Sequence, residues 1–395
     1  MTIGVSESPG VVAQSASMTA AATEVPSGRA RFEFIDGLRG VAAIMVAIGH
    51  LAHAAADRHP GILGPGIEAI ASLGRYGVQI FFVLSGFVIA HSVTGGEYSF
   101  KYFGRFAARR FVRLDLPYWS VIALEMALLW LSGQLLAQYS RELPSFGAIA
   151  ANAFYLQNFL GYPHILPVFW TLCYEVQFYL VLVLSLVLLA RLRNAGVSAA
   201  TTRLIATAAL SIGFLWSVCL FVGLLPPAHP ALFFDRWFQF ALGVIIYLYY
   251  RGHCGIEVLI VSVMLCLGAA VLFGADAYRV TALLVTVATA VGIVCSLHFP
   301  RRGLLEGASM QFLGRISYSL YLLHLAIGWR ATVLVRELIG SHYSTAWAYF
   351  AFAVGMAASI VAAWIANVLI EQPAIRLART IDLPKRRHSS AVLSA

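Results

Sequence analysis

The sequence predicts an all-α fold: a polytopic transmembrane helical bundle of about ten spans with both termini inside. Three observations predict it. Of 395 residues, 60% are hydrophobic and only 11% charged, where a soluble domain carries about 25% charged residues. The apolar residues gather into runs that approach the ~20 residues needed to cross a bilayer core. The basic residues between those runs fall mostly on one side of the membrane so defined.

The runs lie near 37–56, 74–93, 116–137, 169–190, 204–225, 232–250, 256–273, 280–298, 313–335 and 346–370. An eleventh stretch, 145–160 (SFGAIAANAFYLQNFL), is short and carries Asn152, Gln157 and Asn158. Uncompensated polar groups are costly in lipid, so this stretch is expected to lie at the interface or to re-enter. With ten spans, only Arg58, Arg75, Arg141, Arg236, Arg279, Arg330 and Arg336 fall outside the cytoplasmic loops and tails, as the positive-inside rule requires. Counting 145–160 as a span would invert every later loop and move the basic clusters outside.

Residues 1–31 are rich in Ser, Ala, Thr, Val and Gly, with the first basic residue at Arg29. A secretory signal needs a basic start followed by an apolar core, so a disordered N-terminal tail is expected instead. Residues 377–395 read as a basic cytoplasmic C-terminal tail, and 32–376 as one membrane domain. The net charge of +9 is carried by arginines scattered between apolar runs. That pattern points to membrane lipid as the partner and away from nucleic acid. The five cysteines show no CxxC spacing, so neither a disulfide framework nor a zinc site is expected. His50 and His53 form H-x-x-H without a third ligand pattern, so no metal is expected either.

Four segments carry ionisable or polar residues where lipid disfavours them. In "LRGVAAIMVAIGHLAHA" (38–54), Arg39 and His50 are eleven residues apart, three helical turns with little drift. They share one face ~16 Å apart along the axis. Arg39 also fits a snorkelling anchor, and His50 an interhelical hydrogen bond. In "PVFWTLCYEVQFYL" (167–180), Glu175 lies a turn or two below the outer surface, at the depth expected for His50. A carboxylate bonded to a histidine fixes its tautomer and stabilises the imidazolium; a structural pair fits as well. In "FGRFAARRFVRLDLPYW" (103–119), Arg105, Arg109, Arg110 and Arg113 largely share a helical face. Clustered guanidinium groups bind phosphates, though by composition alone positive-inside charge with anionic lipid contact is the stronger reading. In "ISYSLYLLHLAIGW" (316–329), Tyr321 and His324 stand one turn apart and could line a pocket or join helices. No G-x-S-x-G elbow surrounds Ser85 and no P-loop is present.

Taken in order, these segments resemble the acyltransferase 3 family of bacterial integral-membrane acyltransferases, over about residues 33–376. "FIDGLRGVAAIMVAIGH" resembles the family opening, with its arginine and histidine at Arg39 and His50. "GVQIFFVLSGFVIA" (77–90), "FAARRFVRLDLPYW", "FYLQNFLG" (154–161), "PVFWTLCYEVQFY", "SYSLYLLH" and the terminal "EQP" (371–373) complete the series. Two positions depart from it: Thr171 stands where a serine is usual, and Leu116 precedes a lone Pro117. The resemblance implies transfer of an acyl group, commonly acetyl from acetyl-CoA, onto a hydroxyl of a glycan, glycolipid or glycosylated metabolite at the bacterial inner membrane. By position it makes His50 and Arg39 essential and puts Arg109, Arg110 and Glu175 in its other functional motifs; the reading drawn from these residues is His50 as catalytic base with Glu175 orienting it, and Arg39, Arg109, Arg110 and Arg113 holding the acyl-CoA. Trp170, Tyr321 and His324 are expected at the acceptor. The competing class, a multi-pass transporter of an anionic or acylated substrate, also explains intramembrane charge, but such transporters often show internal repeats and none is visible here.

Overall fold

A computed structural model describes residues 32–135, 142–227, 229–299 and 303–384. The N-terminal tail expected over 1–31, and residues 385–395 of the expected C-terminal tail, lie outside the described residues. Among the described residues, fifteen α-helices follow in chain order: α1 (Glu33–Ala56), α2 (Pro65–Ser72), α3 (Gly77–Val93), α4 (Phe100–Leu135), α5 (Phe146–Ala153), α6 (Gln157–Leu160), α7 (Phe169–Asn194), α8 (Ala199–Val222), α9 (Trp237–Tyr250), α10 (Ile256–Leu272), α11 (Ala277–His298), α12 (Ala308–Leu323), α13 (Arg330–Ile339), α14 (Thr345–Ala366) and α15 (Gln372–Arg379). The basic segment expected as a tail from 377 begins inside α15.

The protein is an all-helical polytopic bundle. Where described, each expected span overlaps helix, with 313–335 running from α12 through a π-helical turn into α13. Among the described residues, eight helical stretches are long and apolar enough to cross a membrane, while α9 and α10 are shorter apolar helices of 14 and 17 residues. Large apolar side chains such as Ile212, Val271, Leu338 and Leu369 stand exposed on the outside. A surface of that kind suits a hydrocarbon solvent, where backbone groups must be satisfied within each helix. Local chemistry sets the ends. Ser198 caps α8 by accepting from the Thr201 amide at 3.0 Å, and Gly223 ends it at φ 85°, where a side chain would be strained.

In lipid, helices associate by close packing of small residues. α1 lies along α12, and α3 along α9. A Cβ on Gly314 would overlap the Asp36 carbonyl, and one on Gly86 would overlap the Phe240 carbonyl. The backbones therefore meet directly at both crossings.

The 145–160 stretch forms α5 and α6, of eight and four residues, too short to span. Tyr155 sits between them at φ 60°, a left-handed conformation uncommon for a non-glycine residue. Its hydroxyl donates to Asp115 of α4, and its ring stacks on Tyr118 at 4.8 Å. Tyr118 and Trp119 in turn donate to the carbonyls of Asn152 and Ala153 at 2.8 and 2.9 Å. These contacts pin the segment against α4.

Candidate functional site

Two cavities flank the helices that carry the expected site residues. The first, of about 70 Å³, lies among α1, α3, α4, α7 and α12. Arg39, Arg110, Arg113 and Glu175 supply its charge, and Ser85, Thr171, Tyr318 and Tyr321 its hydroxyls. Helix phase explains the arginines: residues 110, 113 and 114 recur at three- and four-residue spacing and share a face. Arg110 is 8% exposed and donates to Ser92 Oγ at 3.3 Å. Glu175 accepts from Ser85 Oγ at 3.2 Å. The Tyr321 hydroxyl shares a 2.7 Å bond with Thr171 Oγ1 and donates to the Val168 carbonyl at 3.1 Å. Three guanidinium groups against one carboxylate make this chamber a place for an anion.

The second cavity, of about 570 Å³, is bounded by the last turns of α1, the 57–63 loop and α2. His50 and His53 line it, with Asp57, Arg58, Glu68 and Arg75. His50 also reaches inward. Its Nδ1 lies 3.1 Å from Nε2 of His324 and 3.0 Å from the Val46 carbonyl, while His324 Nδ1 lies 3.1 Å from the Leu320 carbonyl. A carbonyl only accepts, so His324 carries its hydrogen on Nδ1 and offers Nε2 as acceptor. His50 then carries its hydrogen on Nδ1, shared between Val46 and His324, and its own Nε2 keeps the lone pair. One assignment of neutral rings satisfies all three contacts.

His324 opens a π-helical turn, His324–Trp329, between α12 and α13. Such turns rotate the following side chains off the α-helical phase and often occur at functional sites. His324 is fully buried, and its ring lies 5.9 Å from that of Tyr321. No residue lines both cavities; the contact path between them runs Tyr321–His324–His50. Phe81 meets Tyr321 edge-on at 5.5 Å and completes the partition on the chamber side.

The expected residues therefore divide. Arg39, Arg110, Arg113, Glu175 and Tyr321 share the chamber, whereas His50 faces the other cavity. The expected His50–Glu175 pair does not form. Counting residues along a span leaves the direction of a side chain around its helix open: Glu175 turns toward Ser85 of α3 while His50 turns toward α12. His324 takes the place given to Glu175 and lines neither cavity, which corrects its placement in an acceptor pocket. Arg109 is displaced by helix phase and does not line the chamber. Trp170 lines neither cavity; it packs edge-on against Phe82 and Tyr174.

Other buried charges escaped the sequence reading. Arg330 grips Glu125 of α4 through two bonds of 2.8 and 2.7 Å. Arg336 pairs with Asp57 at 3.0 Å and donates to the Ala54 carbonyl at 2.8 Å. Glu371 accepts from Ser319 and Asn367 at 2.6 and 2.9 Å. The signal that singled out Glu175, an acid inside an apolar run, also marks Glu125.

The family model for an acyltransferase domain matches residues 32–367. The chain is also similar to "Acyltransferase MdmB" of Streptomyces mycarofaciens, 27% identical over 392 residues that cover 89% of this chain and 94% of that protein. No solved structure matches. With a family match that takes in both cavities, this chain is an enzyme transferring groups other than aminoacyl groups, and it belongs to the acyltransferase 3 family.

Proposed function

We propose that the protein is a membrane O-acyltransferase of the bacterial inner membrane. It moves an acyl group, acetyl from acetyl-CoA, onto a hydroxyl of a glycan, glycolipid or glycosylated metabolite. The observation that carries this reading is the placement of an arginine-lined chamber and a histidine-lined cavity on opposite sides of the Tyr321–His324–His50 path.

The donor enters at the arginine end. The chamber is small, about 70 Å³, and favours the thin chain of the donor over its bulky nucleotide. The pantetheine arm therefore occupies the chamber, while Arg109 and Arg110 take phosphates at its mouth by charge-assisted bonds. Arg113 and Arg39 lie along the arm. The ~16 Å rise from Arg39 to His50 along α1 matches the reach required of the thioester, which passes the Phe81–Tyr321 partition to meet the acceptor.

The acceptor hydroxyl lies in the larger cavity. His50 Nε2 takes its proton as the oxygen attacks the thioester carbonyl. The carbon–sulfur bond breaks, and the departing CoA thiolate recovers that proton from His50. Ester and free CoA are the products. Throughout, the Nδ1–H of His50 remains on His324 Nε2 and the Val46 carbonyl, so the ring is held in one tautomer and orientation. Glu175 sets the balance of charge around the donor instead of orienting the base.

Membranes bearing the protein, incubated with radiolabelled acetyl-CoA and membrane glycolipid, test the reading. His50→Ala abolishes label transfer while expression and insertion persist. Transfer at a near wild-type rate in that variant overturns it.

A further inference from the structure

Glu125 of α4 and Arg330, the first residue of α13, form an ion pair that acyl transfer as described above leaves unused. Both lie in helical stretches long and apolar enough to cross a membrane, and Glu125 is buried. Two ions in such surroundings give up their hydration. A well-packed apolar pair of similar volume is often as stable or more so. Ionisable groups kept inside a membrane therefore point to a task beyond holding helices together.

Position supplies that task. Arg330 directly follows the π-helical turn His324–Trp329. Its Nη1 donates to Glu125 Oε2 and to the Ala326 carbonyl inside the turn, each at 2.8 Å, and its Nη2 donates to Glu125 Oε1 at 2.7 Å. One side chain thus ties the backbone of the turn to α4. α14 presses on the same turn: a Cβ on Gly328 would overlap Ser359 Oγ, so only glycine fits there. Thr332 Oγ1 donates to the Gly328 carbonyl at 3.0 Å, which braces the turn against the helix that follows. A π-helical turn is a rare departure from α-helical phase, and it persists where its surroundings hold it. The first residue of this turn is His324, whose Nε2 meets His50 Nδ1 at 3.1 Å across two helices. That contact depends on the rotation of His324 about its axis, and so on the phase of the turn.

We propose that Glu125 and Arg330 are positioning residues for acyl transfer: by clamping the π-helical turn to α4, the pair keeps His324 Nε2 on the Nδ1–H of His50. This rests on the acyl-transfer reading of His50 and adds the device that holds its partner in place. Neither residue lines the chamber or the histidine cavity, and both act through His324. The clamp is anchored on α4, the helix that also carries Arg110 and Arg113 of the chamber. Donor arginines and the backing of the base thereby share one frame. A small misplacement of a catalytic group costs rate without weakening substrate binding.

Full-length protein in nanodiscs, given radiolabelled acetyl-CoA and membrane glycolipid, supplies the assay. Glu125→Leu combined with Arg330→Met replaces both ions by apolar side chains. That double variant elutes and melts close to wild type, yet its kcat falls about tenfold or more while the acetyl-CoA KM stays within about twofold. Arg330→Lys keeps the charge, loses the two-bonded fork and falls between the two. Placed in His324→Leu, the double replacement lowers kcat by no more than about twofold further, because both changes act through one contact. A folded double variant with a kcat within about twofold of wild type overturns the proposal. So does a further loss of about tenfold on top of His324→Leu. If the double variant does not fold, Arg330→Lys decides in its place: a wild-type kcat, or a loss that multiplies with that of His324→Leu, overturns the proposal. Wild-type protein without His50-dependent transfer overturns the acyl-transfer reading and this proposal with it, a result read before any Glu125 or Arg330 variant is made.

Discussion

At one end of α1, Arg39 faces a chamber of about 70 Å³ in which three arginines meet one glutamate; near the other end, His50 faces a cavity of about 570 Å³ in which most charges already have partners. Both regions lean on α12, through Tyr318 and Tyr321 on one side and the turn that begins at His324 on the other. On the proposed reading the difference is one of task. An excess of guanidinium groups in a narrow space suits a fixed, anionic, chain-like co-substrate. A roomier, charge-balanced space suits a neutral acceptor that must be oriented, with its base held by a buried partner. Two helices thus border two environments of different charge, separated at the Tyr321–His324–His50 path.

Variants at each end break or sharpen that contrast. The largest effect falls at His50. In His50→Ala, kcat drops by about 10³-fold, within the range for a lost general base, while the detergent-solubilised protein elutes unchanged on size exclusion. Next comes His324. His324→Leu removes the acceptor for the His50 Nδ1–H and lowers kcat by about 10²-fold, whereas His324→Gln, whose amide oxygen can accept that hydrogen, retains activity within about tenfold. A purely structural role for His324 makes the two variants equal in kcat at equal thermal stability. Arg110→Ala acts at the other end and raises the KM for acetyl-CoA by about 10- to 100-fold, as loss of a charge-assisted bond implies, with the acceptor KM unmoved. The smallest effect has the opposite sign. Glu175→Gln leaves the chamber more positive and lowers the acetyl-CoA KM by about two- to fivefold, with kcat nearly constant. A fall in kcat of about 10²-fold in Glu175→Gln restores the direct Glu175–His50 partnership and removes the contrast.

Much of this architecture was legible in the residues. The apolar runs located the helices, and the polar content of 145–160 marked it as a segment that does not span. The eleven-residue interval in α1 placed Arg39 and His50 on one regular helix, because Glu33–Ala56 is unbroken. Pairing was harder to read. Depth along a span follows from counting residues, but rotation about the helix axis is set by neighbours. Glu175 and His50 were therefore expected at one level, yet Glu175 lines the chamber with Arg39 and His50 lines the other cavity. The π-helical turn at His324–Trp329 changes the phase within an apolar sequence that gives no local cue for it. Arg109 lies off the chamber lining for a simpler reason: adjacent residues on a helix differ by about 100°, so it does not share the chamber-facing line of Arg110 and Arg113.

The contrast between the two ends reduces to sidedness. In sealed vesicles of known orientation, membrane-impermeant acetyl-CoA and methyl β-D-glucopyranoside are supplied either on the same face or on opposite faces. The account predicts acylated glucoside only when acetyl-CoA is on the face next to the α4 arginines and the glucoside is on the other. Product formed with both substrates on one face, and none with them apart, contradicts it.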